Sequence, residues 1–127
     1  MIAASKIALA VSLVSFVVAN TLGLAVGTGL LPYHWRPAHA HLNLLGFVTS
    51  MIYGVAYHAV PRFRGVPFRR PRLALGQVVA ATAGMLGMVI GFGFLLGTAW
   101  FVVFGGLAWL ASLAFAAMLA EVLFRRR

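Results

Sequence analysis

The chain has 127 residues, of which 63% are hydrophobic and only 9% are charged, against about 25% charged residues in an average soluble domain. It contains no cysteine, which excludes disulfides, iron–sulfur clusters, thiolate-held zinc and the covalent attachment of c-type heme. The net charge of +9 does not indicate nucleic acid as a partner. The arginines stand at the ends of apolar segments, so we interpret them as charges that set membrane topology.

Four apolar runs follow one another along the chain, and each reaches the roughly 20 residues that a helix needs to cross a bilayer. They extend over about residues 7–31, 38–60, 73–96 and 98–124. We therefore predict an all-α integral membrane protein in which residues 1–127 form a single four-transmembrane-helix bundle. The first run is too long for a signal peptide, and Lys6 gives it only a weak basic start.

Basic residues are divided unequally between the two sides of this four-span topology. Arg36 falls on one side, and nine residues fall on the other: Lys6, Arg62, Arg64, Arg69, Arg70, Arg72, Arg125, Arg126 and Arg127. By the positive-inside rule we expect both termini in the cytoplasm, with the Arg36 side at the outer surface of a bacterial or archaeal membrane.

The connections and the small residues predict how the helices pack. The basic loop 61–72 contains three prolines, so we expect the second helix to end before Pro61. The connection between the third and fourth helices around Gly97 is very short, which predicts a tight antiparallel pair. Small residues four apart let backbones approach closely, either within the chain, against another subunit or around a flat macrocycle. They form three pairs: Gly23 with Gly27, Gly87 with Gly91, and Gly93 with Gly97.

Two histidines open the second apolar run, in residues 36–43 (RPAHAHLN). Histidine is costly inside hydrocarbon, and a spacing of two on an α-helix is a turn of roughly 200°. His39 and His41 therefore project from nearly opposite faces, and they suit two neighbours better than one shared ion. Each is either an interfacial histidine bonded to a carbonyl or water, or a ligand to heme iron or copper, for which neutral imidazole is a usual donor.

Two polar neighbours of His39 also have an ordinary and a functional interpretation. Asn43 lies one turn after His39 and either orients an imidazole or packs as a polar contact between helices. Arg36 lies about one turn before His39, where it either snorkels to the membrane interface or binds the propionates of a heme. Both are therefore candidate cofactor-binding residues beside the histidine pair.

The remaining ionisable residues give weaker signals. His34 lies in an aromatic segment typical of an interfacial belt, and together with His39 and His41 it is a minor candidate for a copper or zinc site. We expect His58, near the opposite end of the same helix, at the interface. Glu121 is the only acid and stands four residues before Arg125, which predicts a local ion pair. Without paired carboxylates, a phosphate loop or a nucleophile elbow, hydrolysis and phosphoryl transfer are not indicated.

Residues 36–43 and 57–63 (YHAVPRF) resemble the second helix of heme–copper oxidase subunit I, in the branch of cbb-type oxidases and nitric oxide reductases. In that family an Arg-Pro-x-His element supplies an axial ligand of the low-spin heme, which implies that His39 binds heme iron. The family's copper-site histidines and cross-linked tyrosine lie in helices without a counterpart in these 127 residues. The resemblance therefore does not imply that this chain reduces oxygen or nitric oxide, and we expect no enzyme activity of that kind.

The resemblance also implies an assembly. The family fold is a pseudo-threefold arrangement of four-helix arcs, and its tenth helix carries a His-x-His whose two imidazoles serve different hemes. A homotrimer of this chain would reproduce that arrangement, with a heme b held by His39 of one protomer and His41 of the next. We thus expect a membrane b-type cytochrome for electron transfer or heme binding, in contact with lipid and with copies of itself. The alternative is a non-redox accessory or assembly subunit that handles heme or copper in a larger oxidase-like complex.

Overall fold

A computed structural model describes residues 1–125 as an all-helical, up-and-down bundle, and Arg126 and Arg127 of the basic tail lie outside the described residues. Four long helices span Ala3–Gly27 (α1), Tyr33–Arg64 (α2), Pro71–Gly93 (α3) and Thr98–Phe124 (α4). All four are long and apolar enough to cross a membrane. The predicted class and number of helices are therefore confirmed.

Helix α2 is not uniform along its length. A 3-10 turn at Tyr33–Trp35 leads into an α-helical segment at Arg36–His41, a π-helical segment at Leu42–Thr49 and a second α-helical segment at Ser50–Arg64. π-helical turns are rare and are found frequently at functional sites. Here the wide turns begin directly after His41.

Hydroxyl groups bond to carbonyls of this π-helical segment. Thr49 donates to the carbonyl of Leu44 at 2.8 Å, and Ser12 of α1 donates to the carbonyl of Phe47 at 2.9 Å. A backbone group without a partner is costly in the hydrocarbon region. The serine on α1 therefore both fastens the two helices together and stabilises the irregular part of α2.

Helix α1 packs against α2 through a stripe of small residues that repeat every three or four positions and so share one face. The buried residues of α1 are Ala4, Ser5, Ala8, Ser12, Ser15 and Ala19. The approach is close: an ideal Cβ on Gly54 of α2 would lie 2.6 Å from Leu9 Cγ, and Ser5 donates to the Gly54 carbonyl at 2.6 Å.

Helices α3 and α4 form the antiparallel pair that their short connection predicts. An ideal Cβ on Gly84 would lie 2.8 Å from the carbonyl oxygen of Phe104, and one on Gly87 would lie 2.1 Å from the ring of the same residue. Gly91 is covered by Trp100, with a corresponding distance of 2.8 Å to the indole ring. The predicted pair Gly87 and Gly91 thus packs within the chain.

The end of α2 corrects one prediction. Pro61 lies inside the helix and is buried, so the expectation that it ends the helix is wrong. Neighbouring helices allow such a proline in a membrane helix. The helix ends instead at Gly65, whose φ of 64° is readily adopted by glycine. The Gly65 N–H donates to the Arg62 carbonyl and the Val66 N–H donates to the Pro61 carbonyl, which is a Schellman cap.

The other predicted boundaries are shifted by a few residues. Helix α1 begins at Ala3 and ends at Gly27, earlier at both ends than residues 7–31. Helix α3 ends at Gly93 instead of continuing to residue 96. In the connection that follows, Leu95 has a φ of 55°, a left-handed conformation that interrupts an α-helix.

The two ends of the bundle differ in charge. The end that contains Arg62 and the α2–α3 loop is called the basic end, and the end that contains Arg36, His39 and His41 is called the histidine end. At the basic end, the carboxylate of Glu121 lies 2.7 Å from Arg125 and 3.4 Å from Arg70. The predicted pair with Arg125 is thus present, and the contact with Arg70 fastens the α2–α3 loop to α4.

Candidate functional site at the histidine end

The ring of His39 faces α1. Its Nδ1 lies 2.8 Å from the carbonyl oxygen of Ala19, and because a carbonyl only accepts, Nδ1 carries the hydrogen and Nε2 keeps a lone pair. An ideal Cβ on Gly23 would lie 2.5 Å from His39 Cε1 and 3.2 Å from Nε2. Only a glycine therefore leaves room for the imidazole in this position.

Two of the other predicted site residues lie close to His39. The amide nitrogen of Asn43 is 3.5 Å from Nε2, beyond the usual range of a hydrogen bond. Arg36 and His39 both line an open groove of about 460 Å³, which we call the His39 groove. The remaining lining residues are Gly23, Val26, Gly27 and Tyr33.

Arg36 lies at the rim of the His39 groove and contacts Tyr33. Its Nη1 donates to the Tyr33 hydroxyl, and its guanidinium carbon is 5.5 Å from the centre of the Tyr33 ring. The only acid in the sequence, Glu121, lies at the basic end. In the part of the chain that the structure describes, no carboxylate side chain is therefore available to Arg36, and an anionic group in the groove would be close to it.

The ring of His41 faces the opposite side, towards α3. Its Nδ1 lies 2.8 Å from the carbonyl oxygen of Pro37, so this nitrogen also donates and Nε2 keeps its lone pair. The ring centre is 4.6 Å from that of Phe92. His41 lines a second groove of about 300 Å³, the His41 groove, whose other walls include Leu45, Met88 and Trp109.

The two imidazoles therefore share one arrangement on different faces of α2. Each donates from Nδ1 to a backbone carbonyl, and each borders its own groove. Histidines that bind a metal through one nitrogen almost always donate from the other to a carbonyl, carboxylate or water. His39 and His41 are thus in the tautomer that an Nε2 ligand requires.

His34 does not join this arrangement. Its Nε2 lies 3.2 Å from the carbonyl oxygen of Gly93, so that nitrogen donates and is not available as a ligand. Within residues 1–125 no group of three or more His, Cys, Asp or Glu side chains could hold a metal ion. The structure therefore does not bring His34, His39 and His41 together into a copper or zinc site within one chain.

A buried pair of polar side chains near the basic end is not among the residues predicted from the sequence. The Tyr57 hydroxyl donates to Gln77 Oε1 at 2.9 Å, and both side chains are buried. Gln77 Nε2 has no hydrogen-bond partner among the described residues. A glutamine within an apolar run is itself a signal, because polar side chains at membrane depth usually face the bundle interior.

Comparisons with protein-family models, with curated proteins and with solved structures found no match for this chain. The resemblance of residues 36–43 and 57–63 to heme–copper oxidase subunit I therefore stays a prediction. What the site can bind is argued below from the geometry of the two histidines and their grooves.

Proposed function

We propose that this protein is a membrane b-type cytochrome in which heme b is held by His39 of one protomer and His41 of the next. The observation that carries the proposal is the matched state of the two imidazoles. Each is fixed through Nδ1 to a carbonyl and keeps an Nε2 lone pair, and each lies beside an open groove.

The residues of the His39 groove fit a planar, anionic macrocycle. Gly27 leaves part of the groove without a side chain, and a Cβ there would meet no described atom within 4 Å. Arg36 at the rim can bind propionates through charge-assisted hydrogen bonds. The groove is open, so it can cover one side of such a group, and a second surface has to cover the other.

The positions of the two grooves favour a closed ring of protomers. A head-to-tail interface joins two different surfaces, and repeated rotation closes it into a ring. His39 and His41 supply two different surfaces, one beside α1 and one beside α3. Three protomers are favoured because the resemblance is to a pseudo-threefold arrangement of four-helix arcs.

A heme held by two histidines supplies a one-electron ferric–ferrous couple and has no open iron position, which favours electron transfer over oxygen chemistry. The chain's own residues hold and orient the imidazoles and provide a cation for the propionates. The excess of basic residues at the other end predicts, by the positive-inside rule, that this site lies near the outer membrane surface. No reduction of oxygen or nitric oxide is proposed.

The first test is the optical spectrum and the heme content of the purified protein, together with its native mass in detergent. We expect a reduced b-type α band and a heme-to-chain ratio near one, with the band lost in both His39→Ala and His41→Ala. His34→Ala is the matched control and should retain the band, because its Nε2 donates to a carbonyl. A colourless, heme-free preparation would overturn the proposal. Weak heme with larger subunits at fixed stoichiometry would support the accessory-subunit alternative.

A second test asks whether the ligands come from two chains. His39→Ala and His41→Ala chains are co-expressed in equal amounts, so that random ring assembly creates some interfaces with both histidines intact. Since each of two neighbouring positions must receive the right chain, about a quarter of the sites should regain heme. Ligation within a single chain would instead leave the mixture as heme-free as either variant alone.

A further inference from the structure

A pocket of about 320 Å³ lies at the basic end, far from the two histidines of the proposed heme site. It opens where α2 ends and the α2–α3 loop begins. Its lining residues include Ile2, Tyr57, His58, Arg62, Val66 and Phe68. His58 is separated from His39 by 19 positions along α2, roughly 28 Å on an ideal helix, so the two sites are independent.

Arg62 gives this pocket a positive charge that no acidic side chain of the described residues neutralises. The sequence contains ten lysines and arginines and a single acid, Glu121. The carboxylate of Glu121 already contacts Arg70 and Arg125. No carboxylate side chain among residues 1–125 is therefore left to pair with Arg62, and we expect an anion in the pocket to come from outside the chain.

The pocket is also lined by apolar side chains, which we call its apolar wall. The rings of Tyr57 and Phe68 meet edge to face with centres 5.3 Å apart. The Tyr57 hydroxyl is turned inward to Gln77, so its ring, rather than its polar group, is available to the pocket. Cationic and apolar walls thus meet at the end of a membrane-spanning helix, which is the level of lipid headgroups.

We propose that this pocket binds the phosphate-bearing headgroup of an anionic membrane lipid. Arg62 and His58 contact the phosphate, as arginine does at many phosphate sites, and Ile2 and Phe68 contact the first carbons of the acyl chains. A free phosphate ion would use the same cation but gain nothing from the apolar wall. The combination therefore selects a lipid over a soluble anion. This inference does not depend on the heme proposal.

The test measures lipid retention by native mass spectrometry, after reconstitution in nanodiscs of phosphatidylcholine and phosphatidylglycerol. We expect Arg62→Gln to lower retained phosphatidylglycerol about fivefold, the effect of one basic side chain near a membrane surface. Arg69→Gln removes one charge from the adjoining α2–α3 loop but does not line the pocket, so it should change retention less than Arg62→Gln does.

Two outcomes would overturn the proposal. An equal loss in Arg62→Gln and Arg69→Gln would mean that the overall positive charge attracts the lipid. Displacement of phosphatidylglycerol by excess inorganic phosphate as readily as by added phosphatidylglycerol would mean that the apolar wall plays no part. Phe68→Ser, which removes part of the apolar wall, should lower phosphatidylglycerol retention and make the remaining lipid easier to displace with inorganic phosphate. Circular dichroism of each variant verifies that the helical fold is retained.

Discussion

The polar groups at the two ends of helix α2 differ in how their hydrogen-bonding atoms are used. Near the basic end, the Tyr57 hydroxyl lies within the bundle and is bonded to the side chain of Gln77. At the histidine end, His39 and His41 each use one ring nitrogen for a backbone carbonyl and leave the other beside a groove. Tyr57 and Gln77 bond to each other across two helices. The Nε2 atoms of His39 and His41 are acceptors that the bundle leaves unused.

This difference distinguishes a structural polar contact from the two imidazoles that we propose as ligands. Hydrogen bonds between membrane helices contribute only about 0.6 kcal/mol on average, because the unfolded chain in the membrane also finds partners. They serve mainly to fasten neighbouring helices. The Nε2 atom of His39 or His41 keeps its lone pair beside an open groove, and it makes no contact that holds two helices together. We infer that its position is explained by what it binds.

The largest expected effect that tests this comparison comes from Gly23→Ala. The new Cβ would lie 2.5 Å from His39 Cε1, so the imidazole has to leave its position, while the backbone of α1 can remain. Overpacking of this kind costs about 1–3 kcal/mol, and we expect heme occupancy at limiting heme to fall about tenfold or more. Heme titration followed by the b-type absorption band measures the effect.

The matched control is Gly76→Ala on α3. It adds the same methyl group to a membrane helix, but an ideal Cβ there would meet no described atom within 4 Å. Heme occupancy should stay unchanged and the helix should gain slightly in stability, since alanine is favoured over glycine by about 1 kcal/mol in a helix interior. If both variants lose heme equally, the contact between Gly23 and His39 is not what positions the ligand.

Tyr57→Phe tests the structural role of the hydrogen bond between Tyr57 and Gln77. The substitution leaves both polar atoms of the Gln77 amide without a partner among the described residues. We expect the free energy of unfolding to fall by about 1–2 kcal/mol, the cost of a buried unsatisfied polar group. Heme occupancy should not change. Equilibrium unfolding in mixed detergent micelles gives the first quantity and the absorption band gives the second.

Tyr53→Phe serves as the control for this variant. The Tyr53 hydroxyl lies 3.1 Å from that of Ser112, which also donates to the Ala108 carbonyl at 3.0 Å. Because Ser112 keeps this second bond, the loss should stay near 0.6 kcal/mol, the average for such bonds in membranes. A loss of heme in Tyr57→Phe comparable to that in Gly23→Ala would contradict the separation between the two ends of α2.

Much of this arrangement follows from the sequence through geometry that does not depend on tertiary contacts. The lengths of the apolar runs predict the number of helices that can span a membrane, because a helix needs roughly 20 residues to cross the bilayer. The opposite directions of His39 and His41 follow from the helical repeat. The pairing of Glu121 with Arg125 follows from their spacing of four residues.

Features that depend on a neighbouring helix could not be predicted in this way. Pro61 continues α2 because the surrounding bundle covers it and Gly65 supplies the cap. The π-helical turns after His41 accept a hydrogen bond from Ser12, which is 35 positions from its acceptor. The bond of His39 to the Ala19 carbonyl likewise depends on how α1 and α2 pack. The stripe of small residues on α1 is a sequence signal for that packing.

The smallest expected effect is that of Glu121→Gln at the basic end. The Glu121 side chain is 33% exposed, and its partners Arg70 and Arg125 are 61% and 14% exposed, so solvent screens the attraction to Arg70 more strongly than the attraction to Arg125. Exposed ion pairs contribute about 0.2–1 kcal/mol, and the free energy of unfolding should fall by less than about 1 kcal/mol, with a smaller loss at high salt. The same unfolding assay at low and high salt measures this. A salt-independent loss larger than that of Tyr57→Phe would show that the basic end is held together by its single acid rather than by its buried polar pair.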